Sequence, residues 1–118
     1  MINVQAGGRD GRFSLYVEGH AGAAPKGQDL VCAAASMLAQ AALQEAVNYA
    51  VQYDDNEFCI LNAEMGDGML RLETESVGTA AQDWRAAMNL IATGFEMLTN
   101  SHPDHINFSW VENEKPLC

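Results

Sequence analysis

The sequence predicts an α+β domain with elements in the order β-β-α-β-β-α-β, a mixed or antiparallel sheet covered by two helices packed as a layer. Three observations carry this. Short segments with alternating apolar and polar residues come in pairs joined by glycine turns, which reads as hairpins. Two segments of more than twenty residues have helical spacing and broad apolar faces. Each helical segment follows a hairpin, so the chain reads twice as hairpin plus helix before a last strand. Helices with broad apolar faces must cover the sheet or each other.

In chain order, Ile2, Val4 and Ala6 alternate with polar residues and form a first strand ended by the run Gly7 to Gly11. Phe13, Leu15 and Val17 form the second. Residues 19–28, GHAGAAPKGQ, hold three Gly and one Pro and read as a loop. From Asp29 to Gln52 the chain has no Gly or Pro and is rich in Ala, with Asp29 a suitable N-cap. Ser36, Gln40, Gln44 and Asn48 recur at every fourth position, with Glu45 beside them. The expectation is a helix buried over most of its circumference that exposes one narrow polar stripe. Counting back by four from Ser36 puts Cys32 at the top of that stripe, in the first turn.

Residues 54–56 read as a turn. Glu57 to Ala63 is mostly apolar, which suggests a central strand, with Cys59 a packed thiol inside it. Met65 to Gly68 marks a hairpin turn, and Leu70, Leu72 and Thr74 return. Thr79 to Gln82 has the form of a capping box. Trp84, Met88, Ile91, Phe95 and Leu98 then give a core stripe at helical spacing, and Gly94 suits close packing. Asn100 to Pro103 end the helix. Ile106, Phe108 and Trp110 form the last strand, before a polar tail, ENEKPLC, expected to fray.

The chain has 118 residues, enough for one domain, 1–118, with its own core. Six Lys plus Arg against sixteen Asp plus Glu leave a net charge of −10. That argues against direct nucleic-acid binding and against docking on anionic membranes. It suits a basic partner, or serves solubility alone. No basic and then apolar leader is evident. No run of 18 apolar residues is free of polar interruption, so no membrane span is expected. Cys32, Cys59 and Cys118 are scattered and odd in number, which fits reducing, cytoplasmic surroundings and gives no zinc motif. His102, Asp104 and His105 could bind a metal adventitiously but lack a third strong ligand. No metal and no cofactor is expected.

The chemistry concentrates in residues 19–36, GHAGAAPKGQDLVCAAAS. A helix N-terminus lowers a thiol's pKa, and an imidazolium lowers it further. His20, twelve residues before Cys32, is the candidate general base if the loop folds back. Asp29 is placed to cap the helix, to orient His20, or to do both. Ser36, one turn below Cys32, is placed to bond the thiol or a substrate. Cys32 and Ala33 backbone N–H groups are the candidate oxyanion donors. A Cys on an Ala-rich helix is also compatible with plain packing, and a His after a strand with a solvated turn.

Gly19-His20-Ala21, Gly27, Asp29-Leu30-Val31-Cys32-Ala33-Ala34 and Ser36 together resemble the signature of the Prp family, bacterial ribosomal-processing cysteine proteases. The resemblance extends over the whole domain in length, element order and acidity. It implies removal of an N-terminal extension from the basic large-subunit ribosomal protein L twenty-seven, after a hydrophobic stretch ending in aromatic residues. It implies Cys32 as nucleophile, His20 as base, Asp29 and Ser36 in support, and loop 21–28, with Gly22 and Gly27, as a segment that reorders over the substrate. It also implies a homodimer. Ala24-Pro25 stand where relatives often carry charged or aromatic residues, so loop contacts carry over less directly. The rival readings are a non-catalytic acidic module that docks a basic protein, and a redox regulator acting through Cys32.

Overall fold

The structure is a computed structural model, and it describes residues 1–25 and 29–111. The elements are β1 (Ile2–Arg9), β2 (Arg12–Glu18), α1 (Leu30–Gln52), β3 (Phe58–Gly66), β4 (Met69–Ser76), α2 (Gly78–Ser101) and β5 (Ile106–Trp110). The order is the expected one. The five strands form a single mixed sheet, β3-β4-β2-β1-β5. Only the β1–β5 pair is parallel, because α2 carries the chain back across the sheet to its far edge.

Register explains the core. Val4 pairs with Val17 and with Phe108, Leu15 with Ala6 and Leu72, and Val17 with Leu70. Side chains alternate across a strand, so these residues share one face, while Asn3, Gln5, Glu73 and Glu75 share the other. Both helices cover the apolar face, giving two layers. Trp84 of α2 is 2% exposed and meets Phe13, Tyr49 and Phe58 edge-on, with ring centroids 5.0–6.2 Å apart. Phe95 stacks on Phe108. A Cβ at Gly94 would lie 2.7 Å from Leu38 Cδ2, so Gly94 is where α1 and α2 approach closely, as its sequence position suggests. The stripe from Trp84 to Leu98 faces the core, with Ile91 and Leu98 half-buried.

Several expectations are corrected. β1 continues through Gly7 and Gly8 to Arg9, because ladder bonds to β2 outweigh the weak strand propensity of glycine. β3 is an edge strand, not a central one. Its apolar run spans a bulge at Leu61: Phe58 and Ile60 pair with Ser76 and Thr74, the register slips, and Ala63 and Met65 then stand opposite Leu72 and Leu70, exposed at the sheet edge. Leu61 itself is exposed.

The capping box does not form. α2 starts at Gly78 with Val77 as N-cap and no side-chain cap bond. Val77 N–H donates to Glu57 O at the end of the sheet, which fixes the cap two residues before Thr79 and leaves Thr79 inside the helix.

α1 is not buried around most of its circumference. Only Val31, Ala35, Ala39, Ala42 and Ala46 are buried. The polar stripe is present and bonded along its length: Gln40 donates to Ser36, Gln44 to Asn48, and Asn48 to Glu45. Leu30, Met37, Val47 and Val51 are exposed as well, because a two-layer fold covers a helix on one side only. With 23 residues and a mean hydropathy of 1.4 over its most apolar window, α1 is long and apolar enough to cross a membrane. Its buried face lies on the sheet, and its exposed polar row is hydrogen-bonded along the helix. The last residues, 112–118, including the tail expected to fray and Cys118, lie outside the described residues.

Candidate active site

The site forms where three chain reversals meet. β2 ends at Glu18, the β3–β4 hairpin turns at Asp67-Gly68, and α1 begins at Leu30. Gly19 N–H donates to Gly68 O at 2.9 Å, which ties the first two together. Gly19 has φ +107°, and a side chain there would run into the Met1 carbonyl. The chain can therefore turn out of the sheet at this point only as glycine.

Beyond Gly19 the chain is held residue by residue. The Met1 amino group donates to His20 O at 2.6 Å. His105 Nδ1 donates to Ala21 O at 3.0 Å. Ala21 N–H donates to Cys32 Sγ at 3.1 Å. Ala23 N–H donates to Asp29 Oδ2 at 3.0 Å. Ala21 and Ala23 thus lie back on the first turn of α1.

Asp29 caps the helix as expected. Its Oδ1 accepts from Cys32 N–H at 2.9 Å. Backbone N–H bonds, first that of Cys32 and then that of Ala23, hold its carboxyl below the usual carboxylate range. Both oxygens are engaged this way, so the carboxylate holds loop and helix together and, among the described residues, forms no bond to His20. A lowered folded-state pKa means that the stabilisation is present above the unfolded carboxyl pKa and is lost as pH falls through the folded one. Asp29→Ala is expected to lower Tm by roughly 5 °C at pH 7. The deficit should shrink as pH falls below the unfolded carboxyl pKa toward the lowered folded one, where Asp29 takes up its proton. Thermal unfolding at pH 7 and pH 3 checks this; an equal deficit at both would reject the carboxylate as its source.

The expected oxyanion donors are already engaged. Cys32 N–H is used by Asp29 Oδ1, and Ala33 N–H donates to Asp29 O at 3.0 Å. The cap that begins the helix consumes them. The donor found at the sulfur is Ala21 N–H, from the loop.

Ser36 forms no bond to the thiol; its hydroxyl accepts from Gln40 Nε2. It does line the same cavity. His20 lies exposed, two residues beyond β2, with its ring over the hairpin turn: a Cβ on Gly68 would stand 2.6 Å from His20 Nε2. Gly68 has φ +70°, so this one residue both makes the turn and leaves room for the imidazole.

His20, Cys32, Asp29, Ser36 and Gly22 all line one cavity of about 680 Å³. Its apolar walls include Val17, Ala35, Met65 and Leu70. Cys32 is half-buried, with its thiol free. Gly27 lies outside the described residues. His105 is the residue that sequence reasoning passes over: 84 positions from Ala21, it reaches the loop because β5 lies beside β1. No local signal marks it; only the sheet order does. His102 and His105 do not gather with other ligands, and no group of three His, Cys, Asp or Glu suited to a metal occurs among the described residues.

Residues 1–107 match the family model of cysteine protease Prp. No curated protein matches the chain. Among solved structures, it is similar to the Staphylococcus aureus ribosomal processing protease Prp with a covalently linked product peptide. That pair has a TM-score of 0.66 and 23% identity, over 94% of this chain and 100% of the other. The same S. aureus protease with a substrate peptide gives 0.60 and 20%, with the same coverage. A hypothetical protein from Staphylococcus aureus gives 0.52 and 16%, again over 94% and 100%. These structural likenesses support the fold. With the family model spanning all seven elements but the end of β5, and a free thiol at a helix N-terminus lining the larger of the two cavities described, the chain belongs to the cysteine protease Prp family.

Proposed function

We propose that this protease is a ribosomal-processing endopeptidase that removes the N-terminal extension of the basic large-subunit protein L twenty-seven, using Cys32 as nucleophile and His20 as general base. The observation that carries the reading is the position of Cys32 Sγ. It sits in the first turn of α1, accepts a bond from Ala21 N–H, and shares one cavity with His20. The S. aureus relative is a ribosomal processing protease with peptide complexes, which supplies the substrate class.

In this mechanism His20 takes the Cys32 proton, and the helix N-terminus and the Ala21 N–H stabilise the thiolate. The sulfur attacks the scissile carbonyl carbon, and its oxygen takes the negative charge. As the tetrahedral intermediate collapses, the C–N bond breaks and His20 gives its proton to the leaving amine. Water, activated by the same imidazole, then hydrolyses the thioester and restores the thiol. Asp29 positions Cys32 and the loop through its two backbone bonds. Ser36 lines the wall beside the sulfur. The apolar wall of Val17, Met65 and Leu70 suits a hydrophobic or aromatic residue before the cut.

The net charge of −10 favours a basic substrate. Association is expected to weaken as salt rises, about tenfold in kcat/KM between roughly 50 and 500 mM NaCl. Progress curves at both salt concentrations check it, and salt-independent kinetics would reject the steering. The reading also has the enzyme cytoplasmic and homodimeric. Free Cys32 and Cys59 suit reducing surroundings, and exposed Met37, Val47, Leu90 and Met97 offer helix surface to a second copy.

The test is mass spectrometry of the protein mixed with the extended ribosomal protein, beside Cys32→Ser and His20→Ala. A single cut after the aromatic end of the extension, absent in both variants, supports the assignment. Substrate bound but uncut by the wild type would favour the acidic docking module.

A further inference from the structure

The end of the sheet away from Cys32 holds a second cavity, of about 240 Å³. It forms between the β1–β2 turn, Gly8 to Phe13, and the first turns of α2. β2 runs from this cavity to the active-site end, so the two are about 20 Å apart at ~3.3 Å per strand residue.

Its lining is unlike the rest of the molecule. The chain has six Lys and Arg in all, and three of them, Arg9, Arg12 and Arg85, line this one cleft. Asp10 is the single carboxylate in the lining. Arg9 pairs with Asp10 at 3.4 Å and Arg12 with Glu75 at 3.2 Å. Arg85 has no ion pair among the described residues. With Arg9 and Arg12 paired to carboxylates, the excess positive charge of the cleft rests on Arg85, in a protein whose net charge is −10.

An independent observation points the same way. Trp84 lines the cleft and is 2% exposed, yet its indole Nε1 has no acceptor among the described residues. A buried N–H without an acceptor is costly, and such groups call for an explanation. Trp110 and Asn89 complete the walls.

We propose that this cleft binds a small oxyanion, a carboxylate or a phosphate, through Arg85 and Arg12, with the indole N–H of Trp84 as a further donor. Guanidinium groups match oxyanion geometry with paired N–H donors, and bonds to a charged acceptor are the strong ones. Arg12 exchanges its exposed partner Glu75 for the anion. The site is separate from the Cys32 cavity and needs no turnover.

The protein reports on it directly, because both of its tryptophans, Trp84 and Trp110, line the cleft. Titration with inorganic phosphate and, separately, with citrate at constant ionic strength, set by NaCl, is expected to give a saturable change in tryptophan emission. Which of the two saturates at lower concentration distinguishes phosphate from carboxylate. Arg85→Gln, an exposed position, should weaken binding about tenfold while leaving Tm within about 1 °C. Arg12→Gln should weaken it further. Cys32→Ser should bind as the wild type does. A change that does not saturate, that NaCl alone reproduces, or that is the same in Arg85→Gln would overturn the proposal.

Discussion

Cys32→Ala is expected to reduce peptide cleavage by at least about 10³-fold while the protein stays folded. A protease that works through a thiolate has no alternative nucleophile once the sulfur is gone, and the residual rate is what binding alone supplies. The fold should tolerate the change. Cys32 is half-buried, and its backbone N–H, which the substitution keeps, donates to Asp29 Oδ1. The helix cap therefore survives, and the stability loss should be about 1 kcal/mol or less. Single-turnover cleavage of the extended substrate, with thermal unfolding alongside, measures both. A Cys32→Ala protein that still cuts would remove the sulfur from the mechanism. Conversely, loss of cutting with a collapsed Tm would say nothing about chemistry, and Cys32→Ser then serves as the second variant.

The second large effect is expected at a residue with no reactive group. Gly68→Ala should lower kcat about 100-fold with KM little changed. A Cβ there would stand 2.6 Å from His20 Nε2, so the ring must leave its place over the turn. The ring is the exposed end of a side chain and can move, so the fold survives. The added methyl at φ +70° costs about 1 kcal/mol of stability. Moving a general base by about 1 Å is enough for a loss of that size. His20→Ala should cost about 10³-fold, within the range of general acid–base catalysis. The double variant decides the cause: in the His20→Ala background, Gly68→Ala should have almost no further effect on kcat. A full effect there would mean that Gly68 acts on something other than the imidazole.

These two predictions differ in where their support lies. Cys32 is legible in the chain as a thiol at the head of a polar stripe, twelve positions after His20 and three after a capping Asp. Helix periodicity is local, so spacing alone places the sulfur in the first turn correctly. Gly68 is legible only as a hairpin residue. Its bearing on His20 comes from the pairing of β2 with β4, which sets the β3–β4 turn beside the end of β2. The same holds for His105, which touches the loop only because β5 adds to the outer side of β1.

The points where sequence and structure part share a cause. The apolar run of β3 suggests two-sided burial, whereas a bulge at Leu61 shifts the alternation. The composition of α1 suggests burial nearly all round, whereas the fold has no third layer to cover Leu30, Met37 and Val51. The Cys32 and Ala33 N–H groups stand in a first turn where such groups are often free, whereas the Asp29 cap takes both. In each case a local pattern admits two explanations, and the choice between them belongs to contacts that the pattern itself does not contain.

The amino-acid sequence by itself determined the element order, the Asp29 cap, the placement of Cys32 in the first turn and the acidic character, because turn chemistry, helical period and charge are set by near neighbours. The tertiary structure decided the strand order, the edge position of β3, the seat of His20 over Gly68, the bond from Ala21 to the sulfur, and the gathering of three arginines around Trp84. Those depend on which strands pair and which faces meet, and such contacts join residues whose proximity no local spacing encodes.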